Sequence, residues 1–161
     1  MNEFLLFADK YRNQLVNHAF YRLGNLEDAE DIVQDVFVKI YTQKLSLEPE
    51  NPSSYLYKMT MNACLDFMRK QKSKLRMLQH VESENPSGPE NEAIKHLEME
   101  DEFIRMNKML KILPEEQAEI VRFRIIDGLS FKEITEILDE PESTIKSRFQ
   151  YAIKKLRTYE L

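Results

Sequence analysis

The stretch from His80 to Asn91 limits what this chain can become, because it divides the helical patterning in two. His80-Val81-Glu82-Ser83-Glu84-Asn85-Pro86-Ser87-Gly88-Pro89-Glu90-Asn91 has almost no apolar side chain to bury. Such a segment is expected to be an extended or disordered linker. On either side, apolar residues recur at helical spacing, predicting helices over 2–23, 26–44 and 53–75 before the break. The same periodicity predicts helices over 92–111, 115–127, 130–138 and 143–158 after it. Three glycines, no tryptophan and few β-branched alternations in 161 residues point to an all-α chain. The expected organisation is two small helical domains, 1–78 and 101–161, joined by a flexible acidic linker, 79–100. No internal repeat is evident.

The net charge of −5 argues against a nucleic-acid partner only if it is averaged over the chain. Residues 1–78 carry 11 basic and 10 acidic side chains, a net of +1. Residues 79–101 carry one basic and seven acidic, a net of −6, and residues 102–161 carry 11 of each. The acidity belongs to the linker, and both flanking blocks contain basic clusters.

Other classes find little support. No apolar run approaches the roughly 18 residues of a membrane span, and the N-terminus lacks a signal-peptide pattern. A single cysteine, Cys64, precludes an internal disulfide and sits among core-like positions. A cytoplasmic protein without membrane insertion is expected. His18, His80 and His96 are far apart, and no spacing resembles a metal site, phosphate loop or nucleophile elbow. Neither an enzyme nor a cofactor is expected.

The last fifty residues carry the clearest chemistry. Ser130 followed by Glu133 is a capping box, set after Gly128, which can end the preceding helix. Phe131, Ile134, Ile137 and Leu138 repeat at helical spacing until Asp139-Glu140-Pro141-Glu142 interrupts them. Glu142 or Ser143 can cap a new helix whose apolar stripe is Ile145, Phe149, Ala152, Ile153 and Leu156. Two short helices around a tight turn form a helix-turn-helix, whose second helix enters the DNA major groove. Between Ser143 and Thr158 this second helix has five cations and no acid. Ser147, Tyr151 and Lys154 lie opposite the apolar stripe, flanked by Lys146, Gln150 and Lys155. Hydroxyl, amide and cationic groups suit phosphate clamping and base-edge reading. A merely solvated face is the alternative.

Two helices of the first block have unusual outer faces. On the second helix, Ala29, Ile32, Val33, Val36, Phe37, Ile40 and Tyr41 form the inward stripe. Opposite them Glu27, Asp31, Gln34 and Asp35 frame Val38, a pattern that fits either a basic protein partner or solvent. On the third helix, Leu56, Thr60, Ala63, Cys64 and Phe67 are expected inward, with Tyr55, Lys58, Asn62, Asp66 and Arg69 opposite. The helix runs into Arg69-Lys70-Gln71-Lys72-Ser73-Lys74-Leu75-Arg76, with five cations in eight residues. An aromatic, an amide and cations on one stripe can stack on and clamp single-stranded bases. Asp66 is the misfit, and an i,i+3 pair with Arg69 is its expected role.

Together these segments resemble a known family. Asp28-Ala29-Glu30-Asp31-Ile32-Val33-Gln34-Asp35-Val36-Phe37 is similar to the region 2.2 motif of extracytoplasmic-function sigma factors, within the sigma-70 family. Asn62-Ala63-Cys64-Leu65-Asp66-Phe67-Met68-Arg69-Lys70 resembles the segment that melts and reads the −10 promoter element. Leu113-Pro114, Asp127-Gly128-Leu129-Ser130-Phe131-Lys132-Glu133-Ile134 and Ser143-Thr144-Ile145-Lys146-Ser147-Arg148 resemble region 4, which reads the −35 element. The likeness covers nearly the whole chain, in order.

The resemblance implies an alternative sigma factor that binds core RNA polymerase, directs it to promoters and promotes melting. Asp31, Gln34, Asp35 and Val38 would dock on the coiled coil of the β′ clamp, and region 4 on the β flap. Tyr55, Lys58, Asn62, Arg69 and Lys70 would engage the −10 element, with the loop Gln43 to Ser54 completing a pocket for flipped bases. Thr144, Lys146, Ser147, Arg148, Gln150, Tyr151 and Lys154 would engage the −35 element. The acidic linker could imitate nucleic-acid charge in the template channel. The resemblance further implies an anti-sigma factor as partner and a monomer when free.

Four residues depart from the family pattern. Tyr151 stands where a basic residue is usual, Asp139-Glu140 replaces a glycine-containing turn, and Thr135 stands where alanine is common. They are expected to tune −35 preference. The alternative is a helix-turn-helix regulator that binds duplex DNA without polymerase, at a two-fold symmetric site. A helical adaptor that binds only proteins would leave both basic clusters unexplained.

Overall fold

The computed structural model describes residues 2–43, 51–79 and 97–159. Residues 80–96 of the expected linker and residues 44–50 of the Gln43–Ser54 loop lie outside them, whereas Gln79 and residues 97–100, also expected in the linker, are helical. All regular structure in the described residues is helical: α1 (Asn2–Leu23), α2 (Leu26–Thr42), α3 (Pro52–Gln79), α4 (Leu97–Leu110), α5 (Glu115–Val121), α6 (Phe131–Leu138) and α7 (Glu142–Tyr159). A single π-helical turn, Arg122–Ile126, continues α5. The one α-helix expected over 115–127 is therefore a short α-helix ending in a wider turn. The third helix also runs past 75, to Gln79.

The N-terminal bundle is α1, α2 and α3. Gly24 ends α1 at φ +78, with its N–H bonded to the Phe20 carbonyl at 2.8 Å. Asn25 then caps α2, its side chain accepting from the Asp28 N–H at 2.9 Å. Glycine is required at position 24 for a second reason: an added Cβ would lie 2.8 Å from the Phe103 ring of α4. The bundle core joins Leu15, Ala19 and Phe20 to Ala29, Val33, Val36, Phe37 and Ile40 and to Leu56, Tyr57, Met61 and Cys64. Of the expected inward positions, Ile32, Ala63 and Phe67 are half-buried and Tyr41 is exposed beside the Phe4 ring. Cys64 is buried, and desolvation pushes its thiol up to about 11, which makes it an inert core residue.

The C-terminal bundle is the end of α4 through α7. Leu110, Leu113, Ala118, Val121 and Ala152 form its own cluster. Ile120, Phe123, Leu129, Ile134, Ile137 and Ile145 instead belong to the same buried cluster as the N-terminal bundle. The two halves thus share a core. Tyr57 and Met61 of α3 are buried in that shared cluster, with the Tyr57 ring centre 5.5 Å from that of His18 on α1.

Candidate nucleic-acid interface

The helix-turn-helix is built from local chemistry. Ser130 caps α6 by accepting from the Glu133 N–H at 3.1 Å, while the Ser130 N–H donates to Glu133 Oε1 at 3.0 Å. Gly128, at φ +70, turns the chain between the π-turn and α6. Arg124 braces that turn, donating to the Leu129 carbonyl at 3.0 Å with its guanidinium 4.5 Å from the Phe131 ring centre. Asp139 ends α6 in the left-handed region, at φ 56, a conformation that aspartate tolerates better than most residues. The chain then enters α7 at Glu142.

α7 turns Ile145 and Ala152 into the core and leaves Lys146, Ser147, Gln150, Tyr151 and Lys154 exposed. Thr144 and Arg148 are half-buried beside them. Lys146 pairs with Glu142 at 2.9 Å, and Arg148 lies 3.6 Å from Glu140 and 3.9 Å from Glu116. Pairs this accessible contribute roughly 0–1 kcal/mol, so a phosphate can replace the carboxylates at little cost. The seven residues predicted to contact the −35 element are therefore brought together on one helix.

On α2, Asp31, Gln34, Asp35 and Val38 form one exposed strip, with Val38 50% accessible. On α3, Asn62, Arg69 and Lys70 are exposed, and Asp66 pairs with Lys70 at 3.1 Å and with Arg69 at 3.7 Å. The expected Asp66–Arg69 pair is present, though Lys70 is nearer. A groove of about 350 Å³ between α2 and α3 is lined by Asp35, Lys39, Asn62 and Asp66 among others. Tyr55 and Lys58 lie apart from this group, half-buried at the start of α3. Lys58 Nζ is 3.0 Å from Asp139 Oδ2 in the helix-turn-helix turn, and Ser54 donates to Glu136 of α6 at 2.9 Å.

Sequence patterns did not reveal the polar seam behind this contact. His18 Nδ1 lies 2.7 Å from Asp127 Oδ2, and Arg22 Nε donates to His18 Nε2 at 2.9 Å. Arg22 also forms a bidentate pair with Glu119, which in turn lies 3.6 Å from Arg122. The nitrogen that accepts from Arg22 cannot carry a proton, so His18 is neutral and donates from Nδ1 to the carboxylate. Burial, the largest cause, holds its pKa below 6.5 despite Asp127, and Arg22 and Arg122 act in the same direction. The contact is thus a hydrogen bond from a neutral ring, not an ion pair. Arg22, lowered by burial to about 10, remains a cation. Two cations and two carboxylates consequently surround a neutral imidazole. The π-turn places Phe123 and Asp127 on one side, with the Phe123 ring stacked 5.4 Å from His18.

Residues 7–74 match the family described as Sigma-70 region 2, and residues 109–158 match Sigma-70, region 4. RNA polymerase sigma factor SigV of Bacillus subtilis is 31% identical over 144 residues, covering 86% of this chain and 82% of that protein. The chain belongs to the extracytoplasmic-function group of the sigma-70 family. The ECF RNA polymerase sigma factor SigW of Bacillus subtilis is 29% identical over 163 residues, covering 93% of this sigma factor and 84% of its own length. Among solved structures, the sigma factor RpoE in complex with the anti-sigma factor NepR from Bartonella quintana shares the fold. Its TM-score is 0.71 at 23% identity, covering 98% of this chain and 96% of that one. Region 2 of this sigma factor is α1–α3, and region 4 runs from the end of α4 through α7. Among the described residues, no helix is long and apolar enough to cross a membrane, and no group of acidic, histidine or cysteine side chains could hold a metal.

Proposed function

We propose that this sigma factor binds core RNA polymerase, directs it to promoters bearing particular −10 and −35 elements, and promotes their melting. The observation that carries the reading is the division of labour between two exposed surfaces. The α2 strip of Asp31, Gln34, Asp35 and Val38 is acidic around one apolar side chain, which suits the coiled coil of the β′ clamp. The outer face of α7 has Lys146, Ser147, Gln150, Tyr151 and Lys154 and no acid between Ser143 and Thr158, which suits a −35 major groove. Thr144 and Arg148 flank that face.

Asn62, Arg69 and Lys70 on α3, with Tyr55 and Lys58 at its start, supply the amide, aromatic and cationic groups for unstacked −10 bases. Region 4 would also hold the β flap. A relative of the same fold is complexed with an anti-sigma factor, and such a protein is the expected negative regulator here, acting on a monomer in the cytoplasm.

Mobility-shift assays on promoter duplex, with and without core polymerase, test the reading. A sigma factor shifts the duplex strongly only in the presence of core, and Asp31→Lys weakens that shift. Equal binding without core, at a two-fold symmetric duplex, would favour an independent regulator.

A further inference from the structure

We infer that Tyr151 sets part of this sigma factor's promoter preference by reading the 5-methyl group of a thymine in the −35 element. The inference deepens the promoter reading above and rests on it, since that reading lays α7 in the −35 major groove.

The layout of α7 supplies the first argument. Thr144, Ser147 and Tyr151 stand at i, i+3 and i+7, so they share one row outside the buried stripe of Ile145 and Ala152. The row spans about 10 Å of helix, roughly three base-pair steps. It carries no charge. Lys146 flanks it on one side and Arg148 and Lys155 on the other, and Lys154 follows only after Tyr151.

The second argument is where the flanking cations are held. Lys146 Nζ lies 2.9 Å from Glu142 and 6.0 Å from the centre of the Phe131 ring. Arg148 lies 3.6 Å from Glu140 and 3.9 Å from Glu116. These carboxylates draw both cations to the flanks of the helix, where phosphates border the groove, and away from its floor. Reading a guanine edge takes an arginine or lysine on its O6 and N7. The first turns of α7 place neither in the central row, so discrimination there falls to two hydroxyls and an aromatic ring.

The third argument is the chemistry of Tyr151 itself. The side chain is 65% exposed and belongs to neither buried cluster, so packing does not account for an aromatic residue at this position. A phenol has a single hydroxyl and cannot make the bidentate contact that an amide or guanidinium makes with a base edge. Its ring carbons can instead cover the apolar methyl group that, among the four bases, only thymine presents in the major groove. Tyr151 thus suits a thymine better than a guanine.

The test uses holoenzyme assembled from core RNA polymerase and the full chain, on a promoter found by run-off transcription. Each thymine of its −35 element, on either strand, is replaced in turn by uracil, which removes only the methyl group. Binding is read by mobility shift. At one or two neighbouring positions uracil should weaken binding by the parent about fourfold, the effect of one buried methyl. Tyr151→Ala should bind the thymine and uracil duplexes equally, while Tyr151→Phe should keep the parent's discrimination. A merely structural role for Tyr151 would weaken binding to both duplexes alike and leave their ratio unchanged. Discrimination that survives Tyr151→Ala would therefore overturn the inference, as would a −35 element without an A·T pair. Uracil tolerated at every −35 thymine would also overturn it, and weaker binding by Tyr151→Phe would then assign the hydroxyl to a phosphate. Absence of core-dependent transcripts would instead reject the promoter reading, and the inference with it.

Discussion

His18 and Asp127, 109 positions apart in the chain, meet at 2.7 Å in the seam between region 2 and region 4. The ring is neutral because its other nitrogen accepts from Arg22. Protonation would turn that acceptor into a donor facing a donor and place a third cation beside Arg22 and Arg122.

This arrangement predicts a pH dependence of closure. Groups facing the ring are Arg22 on its own helix, Tyr57 from α3, and Arg122, Phe123 and Asp127 from the opposite side. The docked pKa of His18 lies below its free value of about 6.5, so the closed form binds fewer protons than the open one. The contribution of His18 to closure is complete above about pH 6.5 and is lost as pH falls from there through the docked pKa. Energy transfer between fluorophores on the two halves should therefore fall on acidification below about pH 6.5, and His18→Gln should flatten the profile.

Phe123 is fully buried, stacked on His18 with the Arg22 guanidinium 5.4 Å from its ring centre. Phe123→Ala should cost about 3–5 kcal/mol, measured by urea unfolding, because the cavity opens within the shared core.

Thr135 behaves differently. Its hydroxyl is buried without a hydrogen-bond partner, on a helix that would accept alanine at no conformational cost. Thr135→Ala should raise stability by about 0.5–1.5 kcal/mol. A loss of stability in the same urea titration would show that the hydroxyl is satisfied in solution.

The capping box at Ser130 gives a prediction of opposite sign. Ser130→Ala removes the acceptor for the Glu133 N–H at the start of α6 and should destabilise by about 1 kcal/mol. A midpoint unchanged in thermal unfolding would contradict that assignment.

Local patterns were legible wherever a signal and its consequence lie within a few residues. The Ser130–Glu133 box, the turn at Gly128 and the exposed stripe of α7 all follow from spacing. The π-turn at Arg122–Ile126 did not, because its wider hydrogen bonds have no distinct apolar period over five residues. The burial of Tyr57 and Met61 was also hidden, since both lie in a cluster that runs from Ala8 to Ile145 and that no local pattern brings together. Lys58 was readable as a cation on a DNA-facing stripe, but its partner Asp139 was readable only as extra negative charge in a turn. His18 carried no motif at all. Its surroundings are assembled from Arg22, Glu119 and Asp127, and only tertiary packing brings them together.

The most direct measurement is run-off transcription with purified core RNA polymerase on fragments of the parent genome, with and without this protein. New transcripts with discrete start sites should appear only when the protein is added, and should vanish with Lys146→Glu/Lys154→Glu. Transcripts unchanged by the protein, under conditions where it remains folded, would contradict its assignment as a promoter-directing sigma factor.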